Sequence, residues 1–300
     1  LSRRVRVPIA HLSKLATQVT KQPSKAVAAV VLAGTALAGG AVALAAGNAK
    51  LTIADGVVVK FGEGAGINVR DQLQTGSNVI FTSQFDDTAL GATNPQSEAP
   101  EAGDWLGLFV AKDVPTAGLK IDGVAIRYGG GTTGLPSYMN GGAGLVLNGG
   151  AYGFNRLQFS GNTVGIRVIG TGSPSIAKSR LVQNGVGLLA EQGATPVISE
   201  SDISANTQFG VRNTNPATIV QAQGNWWGHA SGPKDAVGNP AGQGNAVSTG
   251  VDYGSYLTAE PVLTCTIAPT QGYITRVRNI ELSLDCPQAA QYRIQESEQF

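Results

Sequence analysis

The sequence predicts an all-β solenoid of stacked parallel strands with about 22 residues in each coil. Three asparagines, Asn162, Asn184 and Asn206, stand 22 residues apart in segments that also repeat their apolar, glycine and proline positions. Glycine accounts for 41 of 300 residues, whereas charged residues make up 14% and aromatic residues 6%. A chain of this composition turns often and buries small side chains, as coils that stack on one another must do.

The 22-residue step also predicts which side chains face the interior. Residues alternate in direction along a strand, and neighbouring coils lie about 4.8 Å apart, so equivalent positions become contacts. One residue is inserted before Gly210 in the third unit. The predicted interior rows are Ile166 with Leu188 and Val211, Val168 with Ala190, Ile176 with Ile198, and Leu181 with Ile203. Arg167, Leu189 and Arg212 then face outward.

The same register places opposite charges over one another on the outward side. Lys178 falls over Glu200, and Arg180 falls over Asp202. Stacked pairs of this kind stabilise neighbouring strands by roughly 0.2–1 kcal/mol each. We therefore interpret these four residues as structural.

A structural role is also predicted for the row Asn162, Asn184 and Asn206. Asparagine tolerates the left-handed backbone of a tight corner. Its amide can bond to the copies above and below in a stack. We therefore expect the three residues to occupy corners and to form a ladder.

The N-terminal segment has the pattern of an export signal. All six basic residues of residues 1–45 precede an uncharged apolar run at residues 26–46, and Ala43, Leu44 and Ala45 form a small-residue cleavage site. Two alternatives stay open: a membrane anchor, since 21 residues can span a bilayer, or an apolar first coil of the solenoid. As an export signal or a membrane anchor, residues 1–45 form a unit of their own. Contact with the membrane is then expected only through residues 26–46, if they are not cleaved.

Removal of residues 1–45 leaves 15 basic and 20 acidic residues, a formal net charge of −5. Nucleic acid is therefore excluded as a partner, because phosphate binding needs a basic surface. Cys265 and Cys286 are the only cysteines, and in an exported protein they are candidates for one disulfide. The expected location is extracellular or at the cell surface.

The chain divides further by composition. Residues 46–224 contain the alternating runs of the solenoid, and residues 84–103 form an outward loop. Residues 262–300 are richer in charge and alternate as ordinary strands do, which indicates the start of a further domain.

Two segments resemble right-handed parallel β-helix proteins of the pectate-lyase-like superfamily, in particular exported bacterial and archaeal surface proteins. The first reads LTIADGVVVKFGEGAGINV, followed by IFTSQFDD and GDWLGL; the second reads NWWGHASGP and then GQGNAVSTGVDYGSYL. The resemblance implies a single-stranded right-handed β-helix with a C-terminal closing segment at residues 225–261. The later stretch ELSLDCPQAAQYRIQESEQF resembles strands of small tandem β-sandwich domains, and we expect residues 262–300 to be the start of such a domain.

The resemblance also implies possible ligands. Relatives often hold an acidic calcium-binding run after FTS-x-x-D-D, where this chain keeps only Asp86, Asp87 and Asn94 as weak metal candidates. Trp226 and Trp227 are expected to cover the last open coil, or alternatively to stack against sugar rings. No cofactor is expected, with calcium as the one open alternative.

The sequence assigns no catalytic residue. Sugar hydrolysis needs converging carboxylates, whereas Glu200 and Asp202 are paired with bases. Arg167 and Arg212 lie on one outward row and could grip an acidic sugar. The predicted function is a non-catalytic surface module, a stalk, adhesin or binder of extracellular polysaccharide or other surface proteins. The alternative is a polysaccharide lyase or glycoside hydrolase that acts on an acidic glycan.

Overall fold

The computed structural model describes residues 50–92, 98–133 and 142–261, together with the backbone of four short strands outside these ranges. In chain order its first strands are β1 (Ala29–Leu32), β2 (Ala41–Ala43), β3 (Lys50–Ile53), β4 (Val58–Phe61), β5 (Gly66–Val69), β6 (Gln72–Thr75), β7 (Ile80–Ser83), β8 (Gly107–Val110), β9 (Leu119–Lys120), β10 (Ala125–Arg127), β11 (Leu145–Asn148) and β12 (Gly153–Asn155).

The remaining strands are β13 (Gln158–Ser160), β14 (Val164–Ile169), β15 (Ser175–Ala177), β16 (Arg180–Val182), β17 (Val186–Ala190), β18 (Val197–Ser199), β19 (Phe209–Asn213), β20 (Val220–Gln221), β21 (Pro233–Lys234), β22 (Gly244–Ala246), β23 (Val251–Asp252), β24 (Thr266–Pro269) and β25 (Leu282–Asp285). One 3-10 turn, Thr116–Gly118, is the sole helical element in the described part of the chain.

The strands form three stacks of parallel sheets. The first stack runs β1-β4-β7-β10-β13-β16, and the second runs β2-β5-β8-β11-β14-β17-β19. The third stack is divided into β3-β6-β9 and β12-β15-β18-β20-β23. The chain therefore visits the three stacks in rotation, and we call one such circuit a coil. This all-β arrangement is consistent with the expected parallel β-solenoid.

The predicted register is confirmed in the best-aligned coils. Ile166 pairs with Leu188, and Leu188 pairs with Val211 across the inserted residue. Ile176 pairs with Ile198 in the third stack. All five of these side chains have no exposed surface, whereas Arg212, on the opposite face of its strand, is exposed. Period-two alternation therefore separates the interior from the surface here.

A continuous apolar core lies inside the stacks. It includes residues from all three sheets, among them Phe61, Leu73 and Leu108. Trp105 stacks on Phe61 with ring centroids 4.2 Å apart, and its indole N–H donates to the Arg127 carbonyl at 2.7 Å. The GDW segment thus anchors its coil through a buried ring whose one polar atom is satisfied.

The corners differ from the expectation in one respect. The left-handed residue is not the asparagine but the residue before it, with φ of 66° at Gly161, 57° at Gln183 and 55° at Ala205. This backbone kink turns the following residue inward. Asn162 and its equivalents are therefore buried instead of occupying the strained position themselves.

The asparagine side chains form the predicted ladder. The Asn184 Oδ1 atom accepts from the backbone N–H and the Nδ2 of Asn162, at 3.1 and 2.8 Å. The Asn206 Oδ1 accepts the same two bonds from Asn184, at 3.0 and 3.1 Å. Each amide also donates to a backbone carbonyl; Asn184 Nδ2, for example, donates to Phe159. The ladder therefore satisfies polar groups that burial would otherwise penalise.

A second ladder runs along another corner and was not predicted. The Ser179 Oγ accepts from the Leu157 N–H, the Ser201 Oγ from Ser179, and the Asn225 Oδ1 from Ser201, at 2.9–3.1 Å. Residues before this row again have positive φ, as at Gly224. Two corners of the coils from about residue 157 onward are thus held by side-chain to backbone hydrogen bonds.

The N-terminal run contains strands in the structure. β1 pairs in parallel with β4, and β2 pairs with β5. This pairing is what the alternative of an apolar first coil expects. Within the described residues, no helix has the length and apolar character that crossing a bilayer requires.

The closing segment breaks the three-stack pattern. β21 and β22 pair only with each other, and the Tyr253 hydroxyl donates to Asp235 at 2.9 Å across the segment. After Pro261, β24 and β25 form an antiparallel pair in which Thr266 faces Asp285. The pairing is therefore antiparallel after residue 261, and the domain boundary near residue 262 stays a prediction.

Candidate functional site

Both predicted charge pairs are present. The Lys178 Nζ lies 3.9 Å from the Glu200 carboxylate, with both side chains largely exposed. Arg180 lies 3.2 Å from Asp202, and the two also form a parallel β-bridge. Asp202 is only 3% exposed, however, so it is not the solvent-facing acid that the alternation predicted.

Asp202 has an unusual environment for a carboxylate. Burial raises its pKa above the usual range, and the nearby Glu260 charge adds to this, while Ser204 and Arg180 only partly offset the effect. One of its oxygens is buried without a hydrogen-bond partner among the described residues. Arg180 also lies 3.8 Å from Glu260. Two carboxylates thus share one guanidinium, a grouping that the 22-residue step alone did not indicate.

The two outward arginines proposed to grip an acidic sugar have different surroundings. Arg167 contacts Glu191, with its Nε and Nη2 both 2.6 Å from the same carboxylate oxygen. Arg212 is exposed, and its guanidinium lies 5.6 Å from the Phe209 ring centroid. Leu189 separates them in the outward row. Arg167 is therefore already neutralised by a neighbouring coil, which leaves Arg212 as the arginine available to an anion.

The loop after β7 is held against the first stack by buried charges. Asp86 has no exposed surface, accepts from Thr82 Oγ1 at 2.7 Å and lies 3.5 Å from Arg127 Nη1. Burial raises the pKa of Asp86, but hydrogen bonds from Thr88 and Thr82 and the charge of Arg127 together lower it below the usual range. Lys60 is also fully buried and donates to the Gly91 carbonyl at 2.7 Å.

This arrangement does not favour calcium. Both Asp86 oxygens already accept hydrogen bonds, from Thr82 and Thr88, and Asp87 is exposed. Asn94 lies outside the described residues. Among the residues that are described, no cluster of three or more acidic, histidine or cysteine side chains could hold a metal ion. Asp86 and its hydrogen-bond and ion-pair partners instead hold the loop against the first stack.

The two tryptophans of the closing segment are not equivalent. Trp227 is fully buried and belongs to the main core, where it packs at the end of the stack as a cap residue would. It therefore does not offer the exposed stacking face proposed for it. Trp226 is partly exposed and pairs with Asp202 in a parallel bridge. A sugar-stacking role can apply only to Trp226.

A cleft of about 640 Å³ opens beside Trp226. Its walls are the corner at residues 204–208, the tryptophan pair with Gly228, the residues of β22 with Gln243, and Glu260. Amide and hydroxyl groups dominate the lining. Glu260 is the one charged residue among those that line it, so the site does not favour an anion.

Sequence reasoning missed Asn245, which completes the asparagine ladder. Its Oδ1 accepts from the Asn206 N–H at 2.8 Å and from the Asn206 Nδ2 at 3.1 Å. The step here is 39 residues, so the 22-residue register pointed to Gly228 instead. A usable signal was the triplet Asn-x-Val, which occurs at Asn162, Asn184 and Asn245.

Cys265 and Cys286 both lie outside the described residues. The nearest described pair is Thr266 with Asp285. Their disulfide stays a prediction.

Compared with known proteins, the chain matches no family model, no curated protein and no solved structure.

Proposed function

We propose that the chain is a non-catalytic module that acts outside the cell or at its surface, as a rigid stalk that binds polysaccharide or another surface protein. In this proposal the stacks form one right-handed parallel β-helix of the pectate-lyase-like type. Export rests on the basic and apolar pattern of residues 1–46, which is typical of a signal or anchor. The pairing of β1 with β4 and of β2 with β5 fits the first-coil alternative instead and adds no support for export.

One observation carries the non-catalytic assignment: five acids along the coils are paired with bases from neighbouring segments. Five such pairs are Asp86–Arg127, Asp122–Arg156, Glu191–Arg167, Glu200–Lys178 and Asp202–Arg180. Sugar hydrolysis requires two carboxyl groups set about 5–9.5 Å apart across the scissile bond. Carboxylates held by arginine or lysine stabilise the stack instead.

A polysaccharide lyase or hydrolase is the alternative, and one feature favours it. Burial raises the pKa of Asp202, as a general acid requires. Glu260 lies 3.8 Å from Arg180, the same arginine that pairs with Asp202. Two neighbouring carboxyl groups, one of them with a raised pKa, are the arrangement that glycoside hydrolysis uses.

Incubation of the full chain with polygalacturonate, alginate, xylan and β-glucan separates the two proposals. We expect no release of reducing ends or unsaturated uronates. The comparison variants are Asp202→Asn and Glu260→Gln. Products that are released by the native chain and lost in a folded Asp202→Asn variant would overturn the non-catalytic proposal.

A further inference from the structure

The cleft beside Trp226 exists because the chain leaves the stack and returns later. A coil that followed the 22-residue step would place residue 228 over Asn206. Instead the chain departs at Gly228 and comes back through β22, where Asn245 takes the ladder position. The corner at residues 204–208 and the returning strand therefore do not close against each other, and the cleft lies between them.

The lining has the chemistry of a site for an uncharged, hydroxyl-rich ligand. Trp226 contributes a partly exposed ring, and Gln208, Gln243 and Thr207 are exposed amide and hydroxyl side chains on the walls. An aromatic surface with a few convergent polar groups is the usual composition of small-ligand sites. Sugar rings match it, since each presents an apolar face and a rim of hydroxyls.

The cleft also contains one buried donor without a partner and one exposed charge, and the charge limits the ligand. Trp227 also lines the cleft, and its buried indole N–H has no hydrogen-bond partner among the described residues. A buried donor without a partner costs about 1–3 kcal/mol. Glu260 is 60% exposed in its side chain and carries the single charge of the lining. Arg180 pairs with Glu260, but it also binds Asp202 and is therefore already neutralised.

We propose that this cleft is a binding subsite for a neutral sugar unit of a polysaccharide, with Trp226 stacking on the ring and Gln208 and Gln243 bonding its hydroxyls. The assignment rests on the proposed function and narrows it. A uronate is disfavoured because the Glu260 carboxylate would repel it and no uncommitted cation lines the described cleft. The acidic-glycan assignment of Arg167 and Arg212 concerns a different surface, the outward row of the second stack.

Calorimetric titration of the full chain tests the assignment with four probes: the hexasaccharides of β-1,4-linked glucose, xylose and mannose, and hexagalacturonate. We expect at least one neutral probe to bind and to shift the emission of Trp226, the one tryptophan of three that is not fully buried. Trp226→Ala should weaken binding about tenfold or more, because an aromatic anchor dominates small interfaces. Trp226→Phe should retain most of the affinity.

Two further variants keep the result interpretable. Gln243→Ala changes an exposed wall residue with little risk to folding, and it should also weaken binding. Arg212→Ala lies on another face and should leave binding unchanged. Circular dichroism and the unfolding midpoint of each variant exclude loss of fold as the cause.

The remaining outcomes overturn the assignment in distinguishable ways. Binding of hexagalacturonate alone, lost in Arg212→Ala, would move the site to the second stack and leave the binding module intact. Absence of binding by all probes would remove the subsite and leave the stalk role. Cleavage of any probe would overturn the non-catalytic proposal, whatever the cleft does.

Discussion

Asn184 illustrates how single side chains join the coils. Its carboxamide oxygen bonds to Asn162 in one neighbouring coil, and its backbone N–H donates to Asn206 in the other. The side chain is 1% exposed, so water cannot replace these bonds if they are lost. Buried polar groups of this kind specify register because any slip leaves them unpaired.

Replacement Asn184→Ala should lower the free energy of unfolding by about 2–4 kcal/mol, because the N–H and Nδ2 of Asn162 lose their acceptor inside the protein. Urea unfolding followed by circular dichroism measures the change. Asn155→Ala, at an exposed strand position, is the matched control and should stay within about 0.5 kcal/mol. Equal effects at the two sites would contradict the ladder's energetic role.

Backbone strain at the corners is a second residue-scale effect. Gly224 has φ of +68°, and a Cβ atom at this position would meet no other atom within 4 Å, so Gly224→Ala tests conformation without a clash. We expect a loss of about 1–2 kcal/mol. Gly153→Ala meets equally open space at an ordinary φ and should be neutral or slightly stabilising. Similar urea midpoints for both variants would show that the corner tolerates a side chain.

Asp86 and Asp202 should influence stability in opposite directions as pH changes. The folded pKa of Asp86 is lowered, so its contribution is present above the unfolded value of about 4 and is lost as pH falls below it. The folded pKa of Asp202 is raised, so its favourable contribution is present below about 4 and is lost as pH rises through the folded pKa.

Unfolding free energies of the native chain, Asp86→Asn and Asp202→Asn across pH 3–7 measure this difference. Relative to Asp86→Asn, the native chain should gain stability as pH rises. Relative to Asp202→Asn, it should lose stability over the same rise. Curves with the same slope would show that the two carboxyl groups do not differ in environment.

The closing segment shows how an element can end a stack without repeating its pattern. Parallel strands at the end of a solenoid expose unpaired backbone groups that invite association. Asn245 from β22 supplies the ladder bonds that a further coil would have provided. Trp227 fills the core below it, and the Tyr253–Asp235 bond ties the segment together.

Replacement Asn245→Ala should loosen this end while the coils before it stay folded. The Asn206 N–H loses its acceptor, so we expect faster amide hydrogen exchange at Asn206 and in β22, with unchanged protection in β14 and β17. Gln208→Ala, on the exposed side of the same corner, is the control. A uniform rise in exchange across all coils would instead mean that the stack unfolds as one unit.

At the scale of the whole molecule, the apolar run at residues 26–46 is either a first coil of the stacks or an export signal or anchor. The two interpretations predict different behaviour. In the structure β1 and β2 pair with β4 and β5, so they cover the first edge of two stacks. As a cleaved signal or an anchor, the same residues would leave those edges to the mature chain. The pairing favours the first-coil alternative.

Deletion of residues 1–45 should therefore lower the urea midpoint and promote concentration-dependent association, because it exposes two parallel edges. Deletion of residues 1–25, which precede β1, is the control and should change neither property. Light scattering and urea unfolding give the two readouts. Identical behaviour of all three chains would support the signal or anchor interpretation.

Local repetition explains which predictions were confirmed. Ile166, Leu188 and Val211 follow from the 22-residue step and the period-two alternation, and so does the contact between Lys178 and Glu200. In a stack of equal coils, a fixed distance along the sequence becomes a contact in space. No such rule indicated the burial of Asp202, which lies where the stack meets the closing segment and Trp226.

The all-β parallel architecture, the interior rows and the asparagine ladder were predictable from the amino-acid pattern, because each depends on neighbours one repeat away. Three features were visible in the folded chain alone: Gln183 and not Asn184 takes the left-handed corner, Trp227 is core, and Asn245 closes the ladder. The last two outcomes depend on contacts where the repeat is interrupted, and there sequence distance no longer fixes which atoms meet. The first recurs at Gly161, Gln183 and Ala205, and it depends on which of two adjacent residues carries the backbone turn, which the repeat does not specify.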